Sequence, residues 1–108
     1  MTTAVFESTP DAIAIVGKDY RYRRVNPVYE RRWGIRAERI VGMHVSEVLG
    51  ADVFEHTVQQ NLDRCFAGEE ITYAAWFATA LGRLYLVVTY SPLRQEAGQG
   101  EAALMVSR

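Results

Sequence analysis

Residues 53–77 read VFEHTVQQNLDRCFAGEEITYAAWF, and within them the apolar period changes from about four to two. Phe54, Val58, Leu62 and Phe66 recur at helical spacing and make one stripe, so 53–67 is expected to be an amphipathic helix closed by Gly68. Asp52 and Glu55 have the spacing of a capping box, with Asp in place of Ser or Thr. Past Gly68, Ile71, Tyr73, Ala75 and Phe77 alternate with Thr72, Ala74, Trp76 and Ala78, the two-residue period of a half-buried strand.

Downstream, 84–90 reads as a second long strand that ends at Ser91-Pro92, and a loop at 95–100 leads to a last strand over 102–106. Upstream, 12–16 reads as a strand with Ile13 and Ile15 on one face, followed by a Gly17-Lys18-Asp19 turn. Over 20–25, apolar or aromatic residues alternate with Arg, giving a hairpin partner for that strand. Asn26 suits a helix cap and a structural role at the strand–helix junction, and Pro27 suits the first helical position. Val28, Tyr29 and Trp33 share a helix face that ends at Gly34, with Trp33 read as core rather than cofactor stacking. Short helical turns follow at 37–40 and 45–49, punctuated by Gly42 and Gly50; residues 2–9 form a short flanking helix ended near Pro10.

Parallel crossover folds alternate strand and helix, whereas this order is two strands, a helical middle and three strands. The fold class expected is α+β: a five-stranded antiparallel sheet with helices on one face.

The chain has 108 residues, 49% hydrophobic and 23% charged, a size and balance that fit one globular domain. A net charge of −1 supplies no field that would draw nucleic acid or an anionic membrane, and neither partner is expected. A lone cysteine, Cys65, suits a reducing compartment. No apolar run approaches the roughly 20 residues of a bilayer span, and the N-terminus lacks a signal-peptide pattern, so a cytoplasmic location is expected. Catalysis has little to work with. The histidines are His44 and His56, the glycines are not grouped as a phosphate loop, and no metal-ligand spacing occurs. The segment is therefore not expected to be an enzyme.

Several ordered pieces carry a family likeness. Pro10-Asp11-Ala12-Ile13-Ala14-Ile15 opens the first strand, and Tyr22-Arg23-Arg24-Val25-Asn26-Pro27 ends the second. Trp33-Gly34, Ile40-Val41-Gly42, Glu47-Val48-Leu49-Gly50, Ala67-Gly68-Glu69 and the strand ending in Ser91-Pro92-Leu93 follow in order. The chain resembles a PAS domain of the kind found N-terminal in bacterial histidine kinases and diguanylate cyclases. The resemblance implies the strand order 2-1-5-4-3, a single domain with its core over 10–108 and a helical flank at 1–9, and a structural role for Gly42. Family members usually continue into an Asp-containing motif and a signalling helix. The chain stops at Arg108, short of these, so it is expected to be excised from a longer protein carrying an effector domain.

The same resemblance frames the cofactors. Flavin-binding members place a reactive cysteine three residues after a glycine in the short helix; here Val45 holds that place after Gly42, so no flavin-cysteinyl adduct is expected. Haem-binding members place an axial histidine near His56. The stripe puts His56 roughly 160–200° from Phe54 and Val58, facing water, and haem is not expected either.

The sharper expectation is a small-molecule sensor whose pocket, between helices and inner sheet face, is lined by Ile13, Ile15, Arg24, Val58, Leu62, Tyr73, Phe77, Leu86, Val88 and Tyr90. Its counterpart is a ligand-free dimerisation scaffold in which these residues are packed solid. Ala74, Trp76, Tyr85 and Val87 face the other way, too apolar for water, and with Val5 and Phe6 they are the candidates for a homodimer interface.

Overall fold

Alternation along the strand segments is realised as one antiparallel sheet. The computed structural model describes Phe6, residues 9–94 and residues 101–108. Its strands are β1 (Ala12–Gly17), β2 (Tyr22–Val25), β3 (Ile71–Thr79), β4 (Gly82–Arg94) and β5 (Glu101–Ser107). Their order, β2-β1-β5-β4-β3, is the expected one, and every neighbouring pair is antiparallel. Between β2 and β3 lie α1 (Pro27–Trp33), α2 (Ala37–Ile40), α3 (Val45–Leu49) and α4, which covers 51–66. The flanking-helix expectation at 2–9, Val5 included, and the loop at 95–100 fall outside the described residues, except for Phe6 and Thr9.

The core sits between these helices and one sheet face. Ile71 and Phe77 of β3, Leu86, Val88 and Tyr90 of β4, and Ala103 and Met105 of β5 pack there against Tyr29, Trp33, Leu49, Val58 and Leu62. Burying each large side chain contributes about 1.5–3 kcal/mol, so this layer is the main stabilising term.

Asn26 fixes where β2 turns into α1. It is fully buried, and its Oδ1 accepts from the Ile13 and Tyr29 amides at 2.9 and 3.0 Å. Its Nδ2 donates to the carbonyls of Phe6 and Asp11 at 3.1 and 2.8 Å. Both donors and both acceptor sites of the amide are thus in use. At the other end of α1, Gly34 adopts φ +71°, and a Cβ there would meet the Ala80 Cβ at 2.9 Å. The glycine lets the β3–β4 turn close on the helix, where the Ala80 amide donates to the Arg32 carbonyl.

Five local expectations are corrected. The helix over 53–67 begins at Ala51 and contains a π-helical turn, Phe54–Val58, in which the Gln59 amide donates to the Phe54 carbonyl. The buried positions are Phe54, Val58, Leu62 and Cys65, with Phe66 only half-buried, because a strict four-residue repeat drifts around a helix of 3.6 residues per turn. Asp52 and Glu55 form no capping box, since the helix starts before them. The capping box is at α3 instead: His44 Nδ1 accepts from the Ser46 amide at 3.1 Å, and Glu47 accepts from the His44 amide at 2.8 Å.

Tyr20 is not in β2. It takes a left-handed turn conformation, φ 61°, and lays its half-buried ring against Phe54, His44 and Phe66. Lastly, β4 does not end before Pro92 but runs through it to Arg94. β3 pairs with β4 only as far as Tyr90, so Pro92 lies where that side of β4 is an edge and no amide donor is needed.

Candidate functional site

The sheet presents two apolar surfaces, and each holds part of the candidate site. On the inner surface, Val58, Leu62, Phe77, Leu86, Val88 and Tyr90 are buried together and Tyr73 is half-buried among them. Three other pocket candidates are elsewhere. Ala12, Ala14 and Val16 are the β1 residues that join the core cluster, which puts Ile13 and Ile15 on the opposite face. Every residue of that strand is apolar, so only packing decides its phase. Arg24 also points away from the core: it is paired with Ile15 and its guanidinium lies 4.1 Å from the Phe6 ring centroid. The register between β1 and β2 slips by a residue next to Ile15, so the alternation of Arg along β2 does not carry across the hairpin.

The inner surface is nearly filled. A cavity of about 20 Å³ remains between α1, α3 and the sheet, bordered by Tyr29, Trp33, Leu49, Tyr90, Met105 and Ser107 among others. That is room for about one water molecule. Two phenols border it, and each is hydrogen-bonded to one that does not: Tyr29 to Tyr22, and Tyr90 to Tyr73. Burial pushes the Tyr22, Tyr29 and Tyr90 phenols above the usual range and Tyr73 up to about 12, so these groups stay protonated. Ser107 borders the cavity from the end of β5 and is held from outside by Arg32, whose Nη1 donates to its Oγ at 2.8 Å and its carbonyl at 3.3 Å. Burial lowers the Arg32 pKa, partly offset by the charge of Asp11. Trp33, 9% exposed, is core as expected, yet its Nε1 has no hydrogen-bond partner.

On the outer surface, Trp76, Tyr85 and Val87 are 52%, 57% and 46% exposed, and Ala74 is exposed beside them. Trp76 and Tyr85 are cross-strand partners with ring centroids 5.1 Å apart, and Arg83 caps the Trp76 ring at 5.1 Å. A shallow trough of about 470 Å³ runs beside them along Thr72, Val87, Thr89, Val106 and Arg108. Phe6, by contrast, is fully buried within the chain under Arg24, which removes it from the exposed interface candidates.

Cys65 is unreactive, and the Nδ1 atom of each histidine is engaged locally. Cys65 is buried, and burial with the nearby charge of Glu70 pushes its thiol up to about 11, away from the nucleophilic thiolate. His44 Nδ1 is taken up by the Ser46 amide and hydroxyl. His56 is exposed, as the stripe geometry implies, and its Nδ1–H donates to the Asp52 carbonyl. Gly42 serves the backbone: at φ +95° its amide donates to the Tyr22 carbonyl. Among the described residues, no group of three or more His, Cys, Asp or Glu is placed to hold a metal ion. Among the same residues, no helix is long and apolar enough to cross a membrane.

A family model described as the PAS fold matches residues 6–108. No curated protein sequence matches the chain significantly. Solved structures do. A domain of a sensory box sensor histidine kinase/response regulator from Geobacter sulfurreducens superposes with a TM-score of 0.77 at 24% identity, covering 97% of this chain and 88% of that one. The PAS domain of nitrogen regulation protein NR(II) from Vibrio parahaemolyticus gives a TM-score of 0.76 at 24% identity, covering 100% and 98%. VqmA of Vibrio cholerae, solved as a complex with ligand and DNA, gives 0.83 at 17% identity, covering 97% of this chain and 48% of that one.

Proposed function

Because the chain belongs to the PAS fold family, we propose that it is a non-catalytic signal-sensing module that regulates an effector domain on the same polypeptide. It works in the cytoplasm, senses a small molecule in its core, and pairs with a second copy through the outer sheet surface. The observation that carries this reading is the exposure of Trp76, Tyr85 and Val87 on a sheet whose other face is already covered by helices. An apolar surface of this kind on adjacent strands is costly in water and is relieved when a second copy covers it about a twofold axis. The sensor kinase domains of the same fold support the signalling half, and the description of VqmA as a dimer with a ligand is consistent with both halves.

The two surfaces are mechanically connected. Ser107 borders the core cavity, sits in β5 and is gripped by Arg32 of α1, next to Trp33. Movement of α1 on ligand binding therefore pulls on the last strand. A ligand shifts the output only to the extent that it binds the two arrangements of this clamp unequally.

The filled core, with its cavity of about 20 Å³, favours a second reading in which the module is a ligand-free dimerisation scaffold. Native mass spectrometry of freshly purified protein, under gentle and then denaturing conditions, separates the two. A dimer that releases a small molecule on denaturation supports sensing, a bare dimer supports the scaffold, and a bare monomer sinks both.

A further inference from the structure

The two edges of the sheet differ. Beyond β2, residues 42–45 close the edge: the Tyr22 amide donates to the Met43 carbonyl at 3.0 Å, and the Gly42 and Val45 amides donate to the carbonyls of Tyr22 and Tyr20. Beyond β3, no backbone among the described residues pairs with Ile71–Thr79. Which groups stay open follows from β4. Val87 exchanges both of its backbone bonds with Arg108, each at 3.0 Å, so the facing pair Val87–Ala74 exchanges none. The N–H and C=O of Ala74 therefore point out from the sheet edge, and by alternation so do those of Thr72, Trp76 and Ala78. All of these residues are exposed. Open edges are ordinarily blunted by charge, proline or a bulge. The strand ITYAAWFAT has neither charge nor proline, and its register with β4 is unbroken over its 9 residues.

The geometry points to β3 as the seam of the pair, an inference that rests on the pairing reading above. A second copy's β3 lies antiparallel against it about a twofold axis at Ala75, so that the sheet runs on from one copy into the other. A second copy fits because it brings the same open edge in the matching phase. With Ala75 opposite itself, Ala74 faces Trp76 of the second copy and Thr72 faces its Ala78, and these are the residues whose backbone groups point outward. On the outer surface each indole then lies across from a small alanine, and the two indoles meet on the diagonal, about 7–8 Å apart and within contact of each other. A slip of two residues either way would set Trp76, or Ala74, against itself. An uncharged strand also sets no like charges together across the axis.

Amide hydrogen exchange, followed by NMR on the full chain at a concentration where it sediments as a dimer, tests this. The Thr72, Ala74, Trp76 and Ala78 amides should exchange only from the free monomer, slowed about a hundredfold when about 1% of chains are unpaired, and should lose that protection on dilution. In a mixture of ¹³C-labelled and unlabelled chains, an isotope-filtered contact should link the α-proton of Ala75 to its counterpart, the two Cα atoms lying about 4.5 Å apart. Freely exchanging amides in a sample that sediments as a dimer, or absence of the Ala75 contact, would overturn the seam and leave the pairing reading standing. A chain that is monomeric at every concentration would overturn both.

Discussion

Substituting Asn26 by alanine removes four hydrogen bonds at one buried point. The amides of Ile13 and Tyr29 lose their acceptor, and the carbonyls of Phe6 and Asp11 lose their donor. Loss of the helix cap alone costs about 1 kcal/mol. Each further buried group left unpaired adds about 1 kcal/mol at the low end, giving a total of about 4 kcal/mol. Against a total stability of about 5–15 kcal/mol for such a domain, that is a large fraction. Urea unfolding followed by circular dichroism measures it, with an unchanged m-value expected if the native fold is kept.

Asn26→Asp sharpens the test. At an exposed cap, Asp is as good as Asn and gains from the helix dipole. Here its second oxygen would face the Phe6 and Asp11 carbonyls, so a loss of about 2 kcal/mol or more is expected. A loss below about 1 kcal/mol for Asn26→Ala, or wild-type stability for Asn26→Asp, would refute the reasoning.

Three further outcomes are expected. The folded pKa values of Tyr22, Tyr29, Tyr73 and Tyr90 lie above the unfolded value of about 10, so their contribution is complete below that pH and is lost as pH rises through the folded values, about 12 for Tyr73. Phenolate absorbance from these four should therefore appear together with loss of circular dichroism; ionisation ahead of unfolding would contradict the burial argument. Gly34→Ala, which adds a left-handed alanine and a contact at 2.9 Å with Ala80, should lose about 2 kcal/mol in a denaturant titration. Cys65, buried with its thiol pushed up to about 11, should be alkylated by iodoacetamide at neutral pH only as fast as the chain opens, and prompt labelling of the native protein would argue otherwise.

Where side chains alternate in kind, the sequence was a good guide. Tyr73, Phe77, Leu86, Val88 and Tyr90 turn inward while Trp76, Tyr85 and Val87 turn outward, because both strands interleave large apolar residues with a second, distinguishable set. β1 offers no such contrast. With Ala12, Ile13, Ala14, Ile15 and Val16 all apolar, the expectation that the isoleucines face the core has no contrast to rest on, and small residues are the ones that let the helices approach. The inward expectation for Arg24 fails because of a register slip that leaves no mark in composition. The cap of α3 was missed because histidine is an uncommon capping residue, although Glu47 three positions on was a visible half of the box. The orphaned Trp33 Nε1 is a matter of three-dimensional packing, and no spacing rule reveals it.

Sedimentation equilibrium on the wild-type chain and on Trp76→Glu examines the pairing surface itself. The side chain is about half exposed, so the substitution leaves the core untouched. The wild type should sediment at twice the chain mass and the variant at the chain mass, with matching circular dichroism. A wild type that stays monomeric at every concentration, or a variant that still pairs, would show that the outer sheet face is not where two copies meet.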